Sequence, residues 1–138
     1  MRLLKRDLSQ VFDRARIVPW TSENLVSSAQ KSAIAMIPID LAIPMQKLKP
    51  ENRLLIMWRL GLPCLTSPSP AYTRVSREAG VRAACDSPEV WLESFNNLLN
   101  DPIFANEEIL RGQNYLREHH NRTDLLNKWD RAVESVMG

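Results

Sequence analysis

Between Ala33 and Ile39 the side chains are almost all apolar, and Pro38 and Asp40 bound the run. A short uninterrupted apolar stretch of this kind predicts a strand buried on both faces. Two further runs, Leu62 to Thr66 and Val81 to Cys85, repeat the pattern, and each follows a segment of helical periodicity. Helices alternating with short buried strands predict an α/β chain with a parallel sheet covered on both faces. Its functional loops belong at the carboxyl ends of the strands.

The helical segments have recognisable ends. Leu4, Leu8, Val11 and Phe12 make an amphipathic helix, Ile17 to Trp20 a short extended run, and Thr21 or Ser22 with Glu23 a capped start for a helix carrying Leu25, Val26 and Ala29. Ile43 to Pro50 reads as an irregular surface loop, and Pro50 as the first turn of a helix whose stripe is Leu54, Leu55, Met57, Trp58 and Leu60, closed by Gly61. After the stiff Ser67-Pro68-Ser69-Pro70 turn, Tyr72 to Glu78 forms a short helix ended by Gly80. Ser87 and Pro88 open the next, with Trp91, Phe95, Leu98 and Leu99 on one face, and Asp101-Pro102 stops it. Two more helices follow. One carries Ile109, Leu110 and Leu116, with Glu107 and Glu108 exposed near its start and His119-His120 at its end. The other, capped by Thr123, sets Leu125, Trp129, Val133 and Val136 on one side, and Trp91 and Trp129 are expected to be packing anchors.

The 138 residues make one domain, and 18 basic against 16 acidic side chains leave a net charge of +2, too small to indicate a nucleic-acid partner. Gly61, Gly80, Gly112 and Gly138 are too scattered for a dinucleotide fingerprint or a phosphate loop. Cys64 and Cys85 sit in strand-like runs and are expected to be reduced core residues of a cytoplasmic protein. The two histidines are adjacent, so no zinc constellation assembles around them. Charges throughout Met1 to Phe12 argue against a signal peptide, and no segment reads as transmembrane.

The carboxyl-end rule selects the loops Asp40 to Pro50 and Ser67 to Ala71. The first brings Lys47, Lys49 and Arg53 to a helix start at Pro50-Glu51-Asn52, where cations and free N–H groups suit an anion. The other reading of Lys47 and Lys49, as solvated loop charges, stays open.

The run Lys49-Pro50-Glu51-Asn52-Arg53-Leu54-Leu55, followed by Gly61-Leu62-Pro63-Cys64-Leu65-Thr66-Ser67-Pro68-Ser69-Pro70-Ala71-Tyr72, resembles the donor-binding C-terminal domain of GT-B glycosyltransferases of the group 1 type. The likeness extends back to Ile17 and forward through Cys85-Asp86-Ser87-Pro88-Glu89 into the closing helices. It implies a Rossmann-like three-layer sandwich with a short parallel sheet and three C-terminal helices, half of a GT-B fold. On this resemblance residues 1–138 are a single, truncated nucleotide-sugar-binding domain whose partners are a nucleotide-sugar donor and the N-terminal half of the same enzyme. The donor-binding residues it implies are Lys49, Asn52, Arg53, Ser67, Pro68, Ser69 and Tyr72, with no metal and no cofactor, and it assigns no catalytic residue. The isolated chain is expected to transfer no sugar.

Many relatives in that group carry a ribose-binding glutamate where this chain has Ile56, and its acidic partner eight residues earlier falls on Leu48. A degenerate, non-catalytic binding or assembly module is the alternative these positions favour. A phospho-receiver domain also ends an apolar strand in Asp, but Trp20-Thr21 and Cys85-Asp86 stand where it needs its acidic pair and its lysine.

Overall fold

The computed structural model describes residues 15–137, so the expected amphipathic helix at Leu4 to Phe12 lies outside the described residues. The chain is α/β and mostly helical. Ile17 to Trp20 forms no regular element; it is tied to the first helix by the Asn24 side-chain amide, which donates to the Pro19 carbonyl at 3.0 Å. Thr21 caps that helix, α1 (Ser22–Ala29), its Oγ1 accepting from the Asn24 N–H at 3.1 Å.

Strand β1 (Ala35–Ile37) pairs in parallel with β2 (Cys64–Thr66), with Ala35 opposite Cys64 and Ile37 opposite Thr66. The expected third strand at Val81 to Cys85 shrinks to one parallel bridge between Thr66 and Ala84. The Thr66 N–H reaches the Ala83 carbonyl and the Cys85 N–H the Thr66 carbonyl, but the Arg82 N–H is taken at 2.6 Å by the Glu108 carboxylate. A side chain from a later helix thus binds a donor within the expected strand. All three residues of β2 are buried, whereas Met36 on β1 stands 51% exposed, so β1 is covered on one face only.

Where Ile43 to Pro50 was expected to be irregular, α2 (Pro44–Lys47) makes a single turn with Pro44 at its first position. Helix α3 (Asn52–Arg59) starts two residues later than Pro50 predicts. Glu51 is its N-cap, the Glu51 carbonyl accepting from the Leu55 N–H, and Pro50 precedes the cap. It ends as Gly61 predicts. With φ at +74°, Gly61 lets its own N–H reach the Trp58 carbonyl and the Leu62 N–H reach the Met57 carbonyl, each at 3.0 Å.

Helix α4 (Pro70–Ala79) begins two residues before Tyr72 because Ser69 caps it, Oγ accepting from the Tyr72 N–H at 3.3 Å. Ser87 and Pro88 open α5 (Pro88–Asn100) as expected. Asp101 closes α5 and also caps α6 (Pro102–His119), its Oδ1 accepting from the N–H groups of Ile103 and Phe104. The last helix, α7 (Arg122–Met137), is capped by Asn121, whose Oδ1 takes the Asp124 N–H at 2.8 Å, rather than by Thr123. These last three helices follow the sheet without further strands.

Consecutive residues of β2 enter two separate apolar clusters. Cys64 joins Leu54, Trp58, Tyr72, Val75, Tyr115 and Leu116 from α3, α4 and the far end of α6. Leu65 joins Cys85, Leu98, Trp91, Phe95 and Phe104 from α5 and the near end of α6. Trp58 and Tyr115 meet edge to face at 6.2 Å between centroids, and α3 approaches α6 where Gly112 lies against the indole. Trp91 packs as expected, but Trp129 is 64% exposed, along with Leu125, Val133 and Val136. The apolar stripe of α7 is a real feature of the sequence, but the described residues do not cover it.

Candidate functional site

At the carboxyl ends of β1 and β2 lies an open cleft of about 460 Å³, its walls including Asp40, Ser67, Pro68, Asp86 and Trp91. Ser67 builds it. Its N–H reaches the Ile37 carbonyl at 3.3 Å and its Oγ accepts from the buried Ile39 N–H at 2.8 Å, which fixes where the chain leaving β1 turns. The following loop closes on Asp40, whose Oδ1 accepts from the Ala42 N–H and whose own N–H is taken by Gln46 Oε1. Cys85 and Ser87 complete the opposite wall.

The seven residues implicated by sequence divide among three places. Ser67 and Pro68 line the cleft. Ser69 is fully buried as the α4 cap, and Tyr72 is fully buried in the apolar cluster around Trp58. Lys49, Asn52 and Arg53 stand at the start of α3, Asn52 and Arg53 exposed, and none of the three lines the cleft. Tyr72 links the groups: burial pushes its phenol above its ordinary value while the nearby Arg53 guanidinium pulls it down. Ile56 is half-buried on α3.

The charge of the cleft was not foreseen. Among the described residues its only ionisable carboxylates are Asp40 and Asp86, and no cationic side chain lines it. Such walls suit hydroxyl donors better than phosphate oxygens. Of the first donors of α4, those of Tyr72 and Thr73 go to the side chain and carbonyl of Ser69, so much of that helix start is spent on its own cap.

Two other expectations need correction. Glu108 is not exposed: it is 3% accessible, with Oε2 accepting from the Arg82 N–H at 2.6 Å and Oε1 from Arg111 at 2.9 Å. Its role is to hold the third apolar run against α6. The two cysteines are free and buried, as read from the sequence, and burial pushes the Cys64 thiol up to about 12.

A second cavity, of about 500 Å³, opens where the C-terminal ends of α3 and α6 meet, and sequence reasoning missed it. Arg59, Gln113, Arg117 and His120 line it. The signal was present as last-turn cations on two helices, Arg59 and Arg117, but nothing in the spacing says that those helices end side by side. Beside it, the Tyr115 hydroxyl donates to Glu78 at 2.8 Å, and Arg74 joins Glu78 to Glu51. Tyr115 also packs against both imidazoles, at 4.6 Å from His119 and 5.6 Å from His120 between centroids.

Among the described residues no group of three or more His, Cys, Asp or Glu side chains gathers as a metal site, and no helix is long and apolar enough to cross a membrane. No protein family, curated protein or solved structure matches this chain.

Proposed function

We propose that this chain is the donor-binding half of a GT-B glycosyltransferase, holding a nucleotide-diphosphate sugar for transfer to an acceptor bound by an N-terminal half. The observation that carries the reading is the Ser67–Ser69 turn. It leaves the carboxyl end of a buried parallel strand, lines a cleft and caps the next helix within three residues. In α/β folds such strand-to-helix turns are where ligands collect. In this reading the two apolar clusters about β2 are the outer interfaces of a Rossmann-like three-layer sandwich.

In this reading the donor draws on two separate places, since the start of α3 does not line the cleft. Asp40 and Asp86 offer acceptors to the hydroxyls of a sugar or ribose, and the Ser67 hydroxyl, already accepting from Ile39, retains a proton to donate. Lys49 and Arg53, at the start of α3, supply the positive charge that a departing diphosphate requires, with Asn52 as a neutral donor. Arg53 is the stronger of the two cations because a guanidinium can grip a phosphate with two parallel hydrogen bonds.

A second reading, a degenerate module that binds or assembles without catalysis, is favoured by one observation: Ile56 presents an apolar side chain one helical turn from Asn52. Calorimetric titration of UDP, GDP and ADP into the full chain separates the two. The donor reading expects weak, saturable binding that Arg53→Ala weakens more than Lys47→Ala. Absence of binding at millimolar nucleotide favours the non-catalytic module.

A further inference from the structure

The cavity at the far ends of α3 and α6 has an unbalanced charge. Arg59 comes from the last turn of α3, Arg117 from the last turn of α6, and His120 from the residue that closes α6. Gln113 and Asn121 add amides and Leu116 the apolar floor. Among the described residues no acidic side chain lines it. Lys128 on α7 also acts on His120 electrostatically, so a further cation approaches from the last helix.

Helix ends account for part of this. Each carries about half a negative charge, so the two together offset about one cation. The α3 end contributes less, since Gly61 and Leu62 already cover two of its carbonyls. Glu51 is the acidic group that acts on His120, and Arg74 holds it at 2.7 Å. Arg59 and Arg117 therefore leave an excess of about one positive charge on the walls of a cavity large enough for a small molecule, with Lys128 on α7 adding to it from outside the lining. Amides at Gln113 and Asn121 provide neutral donors beside them.

We propose that this cavity is a binding site for a small dianionic oxyanion of the phosphate-monoester class. The two guanidiniums grip its oxygens from opposite helices, and His120 donates a further hydrogen bond when protonated. The site is separate from the cleft at the carboxyl ends of the strands and does not depend on the donor reading.

Protonation of His120 is linked to occupancy. Burial lowers its basicity first, and Lys128, His119 and Arg59 lower it further while Glu51 raises it; the Tyr115 ring packs against it and Arg117 shares the cavity. A bound dianion opposes the effect of those cations, so the imidazole gains basicity on binding and affinity for the dianionic form itself falls as pH rises through the imidazole titration.

The test is titration of the full chain with inorganic phosphate at low ionic strength, read by the imidazole resonances of His120 and by calorimetry. Saturable binding is expected, with the His120 titration displaced to higher pH. Arg59→Gln and Arg117→Gln should each weaken binding about tenfold, the loss of one charged hydrogen bond, while Lys31→Gln, at an exposed turn that lines neither site, leaves it unchanged. Thermal melts of the variants confirm that each is folded; both arginines are exposed, so folding is expected to survive. Loss of phosphate binding in Arg53→Gln alone would place the anion at the start of α3. That would overturn this inference and leave the donor reading standing. No saturable binding by the wild type, or saturation with an unmoved His120 titration, also overturns it.

Discussion

Gly112 and the Trp58 indole approach so closely that a Cβ on the glycine would lie 2.5 Å from Cγ and Cδ2 of the ring. Trp58 is fully buried and held edge to face by Tyr115, so the ring has little freedom to retreat. Alanine is the better helix former by about 1 kcal/mol, but overpacking a filled core costs about 1–3 kcal/mol and more for an overlap this deep. Gly112→Ala is therefore expected to destabilise the chain by about 2 kcal/mol, measured by urea unfolding. Gly80→Ala supplies the contrast. No atom lies within 4 Å of its Cβ, but a φ of +68° costs an L-residue about 1 kcal/mol.

Glu108 gives a second stability test. Glu108→Ala removes the acceptor of the Arg82 N–H and the buried end of the Arg111 ion pair together, and is expected to cost about 3 kcal/mol. Glu108→Gln keeps an acceptor for the N–H and loses only a charge paired with a half-exposed arginine, so it should cost about 1 kcal/mol. Equal losses in the two variants would show that the contact to the Arg82 backbone contributes nothing.

Cys64 predicts an alkaline decline in stability. Its thiol loses a proton near pH 9 when unfolded and near 12 when folded, burial being the main cause and the neighbouring Cys85 a lesser one. Between those limits the folded chain binds more protons than the unfolded one, so stability is full below pH 9 and falls as pH rises, by up to a factor of about ten in the folding constant per pH unit. Cys85, Tyr72 and Tyr115 are shifted in the same direction. The contribution of Cys64 is therefore read as the difference in slope between wild type and Cys64→Ala. Parallel slopes would contradict the burial of this thiol.

Trp129 and Trp58 should respond to truncation in opposite ways. Trp58→Ala removes a fully buried ring and is expected to cost about 4 kcal/mol. Trp129→Ala removes a ring already mostly in water and is expected to change stability by less than about 0.5 kcal/mol. Thermal melts of the two variants check both.

The features that sequence reveals well here are those made within four or five residues. Ser87 with Pro88, Asp101 with Pro102, and Gly61 and Gly80 specify their helix ends through their own backbone geometry and side-chain oxygens, and each does so in the structure. What escapes sequence is decided by partners far along the chain. The Val81 to Cys85 run reads as a strand, yet it meets β2 only at the Thr66–Ala84 bridge, and on its outer edge the Arg82 N–H goes to Glu108 from α6. Met36 reads as buried because every neighbour in sequence is apolar, yet one face of β1 remains open. Asn121 competes with Thr123 as the α7 cap at a spacing of two residues, and composition alone does not choose between two good capping side chains. Of the candidate site, Ser67 and Pro68 were legible from their place after a strand, whereas the acidity of the cleft depends on Asp40 and Asp86, far apart in sequence, both lining it.

Asp101 ends one helix and caps the next, so α5 and α6 share a joint with no linker. The joint acts as a lever. Gly112 lies eleven residues beyond Asp101 in sequence, about 16 Å along the helix at 1.5 Å per residue. A swing of about 10° at Asp101 would carry it sideways by about 3 Å, comparable to a whole van der Waals contact. The Asp101 carboxylate, which pins the N–H groups of Ile103 and Phe104, therefore sets an aim as well as a beginning. The fit of Gly112 against Trp58 is adjusted three turns away, at a surface residue that touches neither.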